Sequence, residues 1–462
     1  MNSKIWFAPI VLLVASLACA LPSATSTPEA QSHALATGVA ATLTALAPAQ
    51  PTPTQPPSEP TQAAATATEP APQPPLGPSP VLRIVYTDAG NVWLVDGDAA
   101  PVQLTSSGNS YKVLISSDGE RIVYLRRPAN QNVPSEVRVI NRDGTGDRAL
   151  MTPQQWDGLY PLQNFDHNDV SQIAFIPGTH RLMMNTRAFG NFPGNFKYND
   201  GLQLDVDTGQ LDTIFAPDAG GDFTISPDGT HVVIVQPKSI SLAKVDGTDL
   251  HSNVIAYDPV TTYSEYQYYA QPIWRTNSTG FGVAIPSADP LGSNPSGTIW
   301  SVSASDGSAT QLGQIPGDFF FIQAGSAPSL SPTQDWVAFL RPGASSSAPP
   351  NLMLAHPDGS GIETYDQGNI KWEGWSVNAL RFAYSSGGPS ELHLGTPSAP
   401  KLDFGQGTKL RWQDDARFIY LKGSVGNWSL ARFEGGVVPA ILATPSGDNV
   451  SYDFTGPANA GP

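Results

Sequence analysis

Side chains fit for chemistry gather in four aromatic stretches of this 462-residue chain. The first carries Trp156, Asp157, Tyr160, Asn164, Phe165, Asp166, His167 and Asp169, and the second Phe189, Phe192, Phe196 and Tyr198. The third holds Tyr263, Glu265, Tyr266, Tyr268 and Tyr269, and the fourth Phe319, Phe320 and Phe321. Aromatic faces flanked by amides and carboxylates suit stacking on sugars or gripping peptide side chains. The binding candidates are Trp156, Tyr160, Asp166, His167, Asp169, Phe192, Phe196, Tyr198, Tyr263, Tyr266, Tyr269 and Phe320. The competing reading is that large loops need small cores of their own and that these rings pack the loops down. Asp157, Asp166, Asp169 and Glu265 also offer an acid and a base for cleaving a glycosidic bond, which a carboxylate pair does at separations of about 5–9.5 Å. No spacing in the sequence singles out such a pair.

Other chemistries lack their residues. There is no G-x-S-x-G elbow and no G-x-x-x-x-G-K phosphate loop. Cys19 is the only cysteine, so neither an internal disulfide nor a thiolate zinc site can form. His167 with Asp166 and Asp169 is the one cluster of metal-ligand type, and an ordinary solvated loop accounts for it better. Asp205-Val206-Asp207-Thr208-Gly209 lacks the distal Glu of a calcium loop and reads as a hairpin turn. The expectation is therefore a protein without catalytic motif, metal or cofactor. A net charge of −16 argues against nucleic acid as a partner and against direct adhesion to anionic lipid.

The elements that must carry these loops are repeats. Residues 222–250 read as strand, tight turn, strand, short link, strand and a second tight turn opening a fourth strand. Ser226-Pro227-Asp228-Gly229 is the first turn and Asp246-Gly247 the second. Val232-Val233-Ile234-Val235 between them is β-branched throughout, as a strand covered on both faces should be. Similar strand–turn–strand anchors recur at Ser116-Ser117-Asp118-Gly119, Ile176-Pro177-Gly178, Arg275-Thr276-Asn277 and Ser331-Pro332. Weaker ones follow at Ser376-Val377-Asn378 and Gln413-Asp414-Asp415. Residues 83–105 add three strands with no first strand, and residues 449–454 a strand with no unit of its own. Pairing the two would close a ring and remove its exposed edges. Eight units over residues 81–462 leave about 48 residues each, near the usual repeat length. Eight blades are favoured, and seven would require merging the two weak anchors.

The S-P-D-G turn followed by a strand resembles the TolB-like, WD40-like family of β-propellers, over essentially all of residues 81–462. The resemblance implies an all-β fold of four-stranded blades and little about activity, since it spans protein-binding scaffolds, sugar-binding modules and the propellers of peptidases. The peptidase relatives carry a hydrolase domain after the propeller, and none is expected after Thr455. In such a blade the first-to-second and third-to-fourth turns share one rim, and all of them here are short. Residues 151–170, 188–201, 256–271, 286–297, 317–328 and 343–350 fall on the other rim, where binding residues concentrate. The expected function is non-catalytic binding of a protein, peptide or glycan through that long-loop face. A propeller-type carbohydrate-active enzyme or an envelope assembly or sensor subunit are the alternatives.

Ahead of the repeats, residues 5–18 form an apolar run of about 14 residues after Lys4, the length of a signal-peptide core rather than a membrane span. With Cys19 at its end, residues 1–19 resemble a bacterial lipoprotein signal, although Leu17 stands one place later than that family has it. The resemblance implies a lipid on Cys19 and an extracytoplasmic protein anchored to the cell membrane. Cleavage after Ala20, giving a secreted protein, or retention as an uncleaved anchor are the alternatives. Residues 20–80 are rich in Ala, Pro and Thr; Thr27-Pro28-Glu29 has the form of a helix start for residues 28–46, or that segment stays unfolded. Residues 48–80 hold only Glu59 and Glu69 as charges and read as a tether reaching at most roughly 100 Å.

Overall fold

The computed structural model describes residues 77–127, 133–162, 164–190, 195–325, 327–345, 347–387, 391–436 and 438–456. The lipidation candidate Cys19, the helix expected at 28–46, the tether and Phe192 lie outside the described residues.

The unit read from residues 222–250 is present as expected. Strands Asp222–Ile225, His231–Gln236, Ser239–Lys244 and His251–Ala256 pair antiparallel in that order. Its β-branched strand is covered on both sides. Val233 and Val235 pack with Phe281 and Val283 of the following sheet, whereas Val232 and Ile234 pack with Ile176 and Met183 of the preceding one. The two-residue period of a strand thus joins consecutive sheets face to face. Each fully buried Val or Ile contributes about 1.5–3 kcal/mol. Asp228 Oδ1 accepts hydrogen bonds from Ser226 Oγ at 2.6 Å and from Thr230 N at 3.0 Å in the first turn. Gly229 turns there with φ of +71°, and a Cβ on it would stand 2.2 Å from the Pro177 carbonyl oxygen. Only glycine meets both conditions.

The same four-stranded antiparallel pattern recurs along the chain. One sheet orders Ser110–Ile115, Arg121–Arg126, Glu136–Asn141 and Arg148–Met151; another orders Ile273–Trp274, Gly280–Pro286, Ser296–Ser303 and Ala309–Pro316. Three departures are informative. Within residues 188–201, expected as a loop, Asn195–Lys197 is instead a fifth strand, paired with Arg181–Phe189 on the sheet that contains His167–Phe175. Ahead of Val337–Arg341 the first strand is reduced to a bridge between Leu330 and Val337, leaving a three-stranded sheet. The strand Ala399–Trp412 serves twice: residues 399–406 pair with Glu391–Thr396 and residues 407–412 with Arg417–Ser424. At the ends of the domain, Tyr452–Thr455 pairs antiparallel with Arg83–Asp88, beside Asn91–Asp96 and Val102–Gln103. The expected pairing of the last strand with the first three is what the fold contains.

The first strands of successive sheets lie side by side. Ser110–Ile115 touches both Tyr452–Thr455 and His167–Phe175, and Lys371–Trp375 touches Ala399–Trp412. A cavity of about 500 Å³ is lined by residues of these strands, including Lys112, Phe175, Arg411 and Asp453. A second, of about 470 Å³, is lined by Gln172, Lys197, Asp222, Tyr269 and Pro328.

Candidate functional site

The two rims differ in how their polar groups are used. On the short-turn rim, Asp143, Asp246, Asp306 and Asp358 each accept from the backbone N–H and hydroxyl of the Thr or Ser two residues on. His180 bridges Asp118 at 3.0 Å and Asp207 at 2.7 Å, linking two adjacent sheets. Burial pushes the Asp118 carboxyl up, but Ser116, the Glu120 N–H and His180 together hold it below the usual range. Its equivalence to His231 in the repeat hides this role in the sequence, because the partners come from distant segments.

The long-loop rim carries a cavity of about 830 Å³, lined by residues 259–268 with Asn199, Asp218, Gln236, Pro237 and Lys238. Tyr263 and Tyr266 are 60% and 57% exposed beside it. Tyr268 is buried and packs on Phe320 with ring centroids 5.9 Å apart. Tyr269 donates to Asn199 Oδ1 at 2.8 Å and lies under the Lys197 ammonium at 3.8 Å. Burial, and then the Asp222 charge, push its hydroxyl up to about 12. The ring stays a neutral, rigid wall.

The first two aromatic stretches divide into core and surface. Trp156 is fully buried, donating from Nε1 to the Ser135 carbonyl at 2.7 Å, and so belongs to the core rather than to a binding face. A capped turn at Pro153–Asp157 brings it there, with Thr152 accepting from Gln155 N. Asp169 is also fully buried; it accepts from Ser135 N, Ser135 Oγ and Val170 N. Both are corrections to the sequence expectation, and the reason is that an indole N–H and a carboxylate each found a buried partner. Tyr160 packs on Tyr198 in a tilted arrangement with ring centroids 4.5 Å apart and donates to Asp200 at 3.0 Å. Asp200, raised by burial and held by Thr186, was not legible in the sequence, where nothing sets it apart from other loop aspartates. Phe196 is 48% exposed over Tyr198 and Phe165.

No catalytic pair emerges from the proposed carboxylates. Asp157 accepts from Asn168 N at 2.9 Å and Asp169 is enclosed, while Asp166 and Glu265 are exposed on separate loops. His167 stacks on Phe189 at 5.1 Å. Among the described residues, no group of three or more His, Cys, Asp or Glu is placed to hold a metal ion. A Ser386–His393–Asp403 relay, with both steps at 2.8 Å, has the partners of a hydrolytic triad. Ser386 is 7% exposed, however, and its hydroxyl also leans on Asp366, so the relay joins strands rather than presenting a nucleophile. Among the described residues, no helix is long and apolar enough to cross a membrane.

No family model and no curated protein matches the sequence. Solved structures similar to the chain include TolB from Acinetobacter baumannii, at 11% identity and a TM-score of 0.34, covering 73% of this chain and 66% of that one. They also include the β-propeller domain of the Trilobed protease from Pyrococcus furiosus, at 10% identity and a TM-score of 0.43, covering 73% and 99%. Dipeptidyl peptidase 4 from Porphyromonas gingivalis is similar at 12% identity and a TM-score of 0.46, covering 77% and 56%. The all-β architecture rests on the strand pairing.

Proposed function

We propose that the chain is a non-catalytic binding propeller of eight blades, closed by its C-terminal strand, that grips a protein, peptide or glycan through its long-loop face. The observation that carries this reading is the pair Tyr263 and Tyr266, both largely exposed, at the mouth of the 830 Å³ cavity. Exposed rings beside a concavity supply large contact area at low entropic cost, the pattern of binding hot spots. Dividing the sheets at Ala399–Trp412 and counting the bridged strand at Leu330 as the start of a unit supports a count of eight. Export through residues 1–19, lipid attachment at Cys19 and a tether over residues 20–80 would hold this face outside the cell membrane. A partner within the cell envelope suits that placement.

The test is a binding screen of the full-length protein against envelope glycans, peptidoglycan fragments and envelope proteins, repeated with Tyr263→Ala and Tyr266→Ala. Loss of about 2 kcal/mol per hot-spot ring is expected, roughly thirtyfold in Kd. A ligand bound equally well by the double variant would move the site away from this rim.

A further inference from the structure

The cavity on the long-loop rim carries charge as well as rings. Of the charged side chains lining it among the described residues, Asp218 and Glu265 are acidic and Lys238 is basic, which leaves one net negative charge. All three are exposed, and none of their side chains makes a hydrogen bond or ion pair among the described residues. Their charges are therefore open to a ligand. The chain as a whole, with 40 acidic and 24 basic residues, adds a field that draws cations towards it.

The rings of the same cavity are arranged to favour positive charge. The Tyr263 hydroxyl donates to the Asp289 carboxylate, which also accepts from Leu291 N at 3.2 Å. A phenol that donates to a carboxylate is polarised, and the face of its ring becomes more negative. Tyr263 is held with φ of +56°, a conformation that a bulky side chain rarely adopts. The Thr262 hydroxyl donates to the Tyr266 carbonyl, and Ser264 Oγ accepts from Tyr266 N at 3.3 Å, so the loop sets both exposed rings before any ligand arrives. Tyr268 lines the cavity too; it is 8% exposed and its hydroxyl has no partner among the described residues, a hydrogen-bonding group left for a ligand to satisfy.

We infer that this cavity takes a cationic side chain, a lysine or arginine on a basic peptide segment of a partner protein, held between the Tyr263 and Tyr266 rings and the Asp218 and Glu265 carboxylates. The inference rests on the reading of this cavity as the binding site and specifies what enters it. An ammonium or guanidinium gains from the ring faces and from charge-assisted hydrogen bonds to the carboxylates, whereas a neutral sugar gains only from the rings. Lys238 opposes such a ligand and sets a sign that a neutral one would not show. A cavity of about 830 Å³ admits a long basic side chain with its backbone.

The test titrates the full-length protein with fluorescent tetralysine, with the same peptide acetylated on every Nε, and with chitotetraose, at constant ionic strength. Saturable binding of tetralysine is expected, at least about tenfold tighter than that of the acetylated peptide. Glu265→Gln and Asp218→Asn should each weaken it at least about threefold, and Lys238→Met should tighten it about twofold. The Tyr263→Ala/Tyr266→Ala double variant, which changes no charge, should weaken it at least about tenfold. Glu363→Gln removes an exposed charge from an outer strand and should leave binding unchanged. Equal weakening by Glu363→Gln and Glu265→Gln would assign the binding to the general field of the molecule and overturn the inference. Absence of saturable tetralysine binding also overturns it, and tyrosine-dependent binding of chitotetraose would then leave the rim as the binding face for a glycan. Tetralysine binding that survives in the double tyrosine variant overturns both the inference and the reading of the cavity on which it rests.

Discussion

Aspartates fall into two classes here, and their environments set opposite responses to pH. In the turn at residues 226–229, burial raises Asp228, but the Ser226 hydroxyl, Thr230 and Ser278 outweigh it and hold the carboxyl below its ordinary value. Asp246 is held low first by the Thr248 hydroxyl. Groups depressed in this way stabilise the fold above their unfolded pKa of about 3.9, and that contribution disappears as pH falls through the folded value. Asp200 and Asp318 are raised by burial and act in the opposite sense, gaining a proton more readily in the folded state. The turn aspartates recur along the repeats, so the net effect expected is a steep loss of Tm below about pH 4. Asp228→Asn keeps an acceptor but not the charge, and its Tm should fall less steeply over that interval. Identical slopes for wild type and variant would assign the acid sensitivity elsewhere.

At the scale of elements, the last strand does more than fill a sheet edge. Tyr452–Thr455 pairs with Arg83–Asp88, while Ser451 Oγ and Asp453 Oδ2 accept from Val113 N at 3.3 Å and Ile115 N at 3.0 Å in the next sheet. The Tyr452 hydroxyl donates to the Ile419 carbonyl at 2.9 Å on the other side. One short strand therefore joins three sheets. Deleting residues 449–462 should cost more than about 3 kcal/mol from the buried Tyr452 alone and leave an open strand edge that pairs between molecules. Denaturant unfolding and light scattering would show lower stability with concentration-dependent association; a monomer of unchanged stability would rule out this role. The pairing was foreseeable, since residues 449–454 read as a strand without a unit and residues 83–105 as three strands lacking a first. The fifth strand at Asn195–Lys197 was not, because Asn and Phe there carry no clear alternation and only the edge of Arg181–Phe189 recruits them.

The whole molecule is acidic, with a formal net charge of −16. Placement at a membrane would rest on Cys19, and Cys19→Ala should move the protein from the membrane fraction to the soluble exported fraction. Retention of the variant in membranes would favour an uncleaved apolar anchor. What the amino-acid sequence determined by itself is local: S-P-D-G and D-G turns, β-branched strands buried on both faces, and the repeat that places long loops on one rim. Turn geometry and two-residue alternation depend on near neighbours, so they are legible one segment at a time. Tertiary structure alone decided which loop residues face solvent. Trp156 and Asp169 turned inward because Ser135, distant in sequence, offered them partners, whereas Tyr263 and Tyr266 stayed exposed. It also decided where side chains from separate sheets meet, as His180 does with Asp118 and Asp207: burial and hydrogen-bond partnership across sheets depend on contacts that no single stretch of sequence contains.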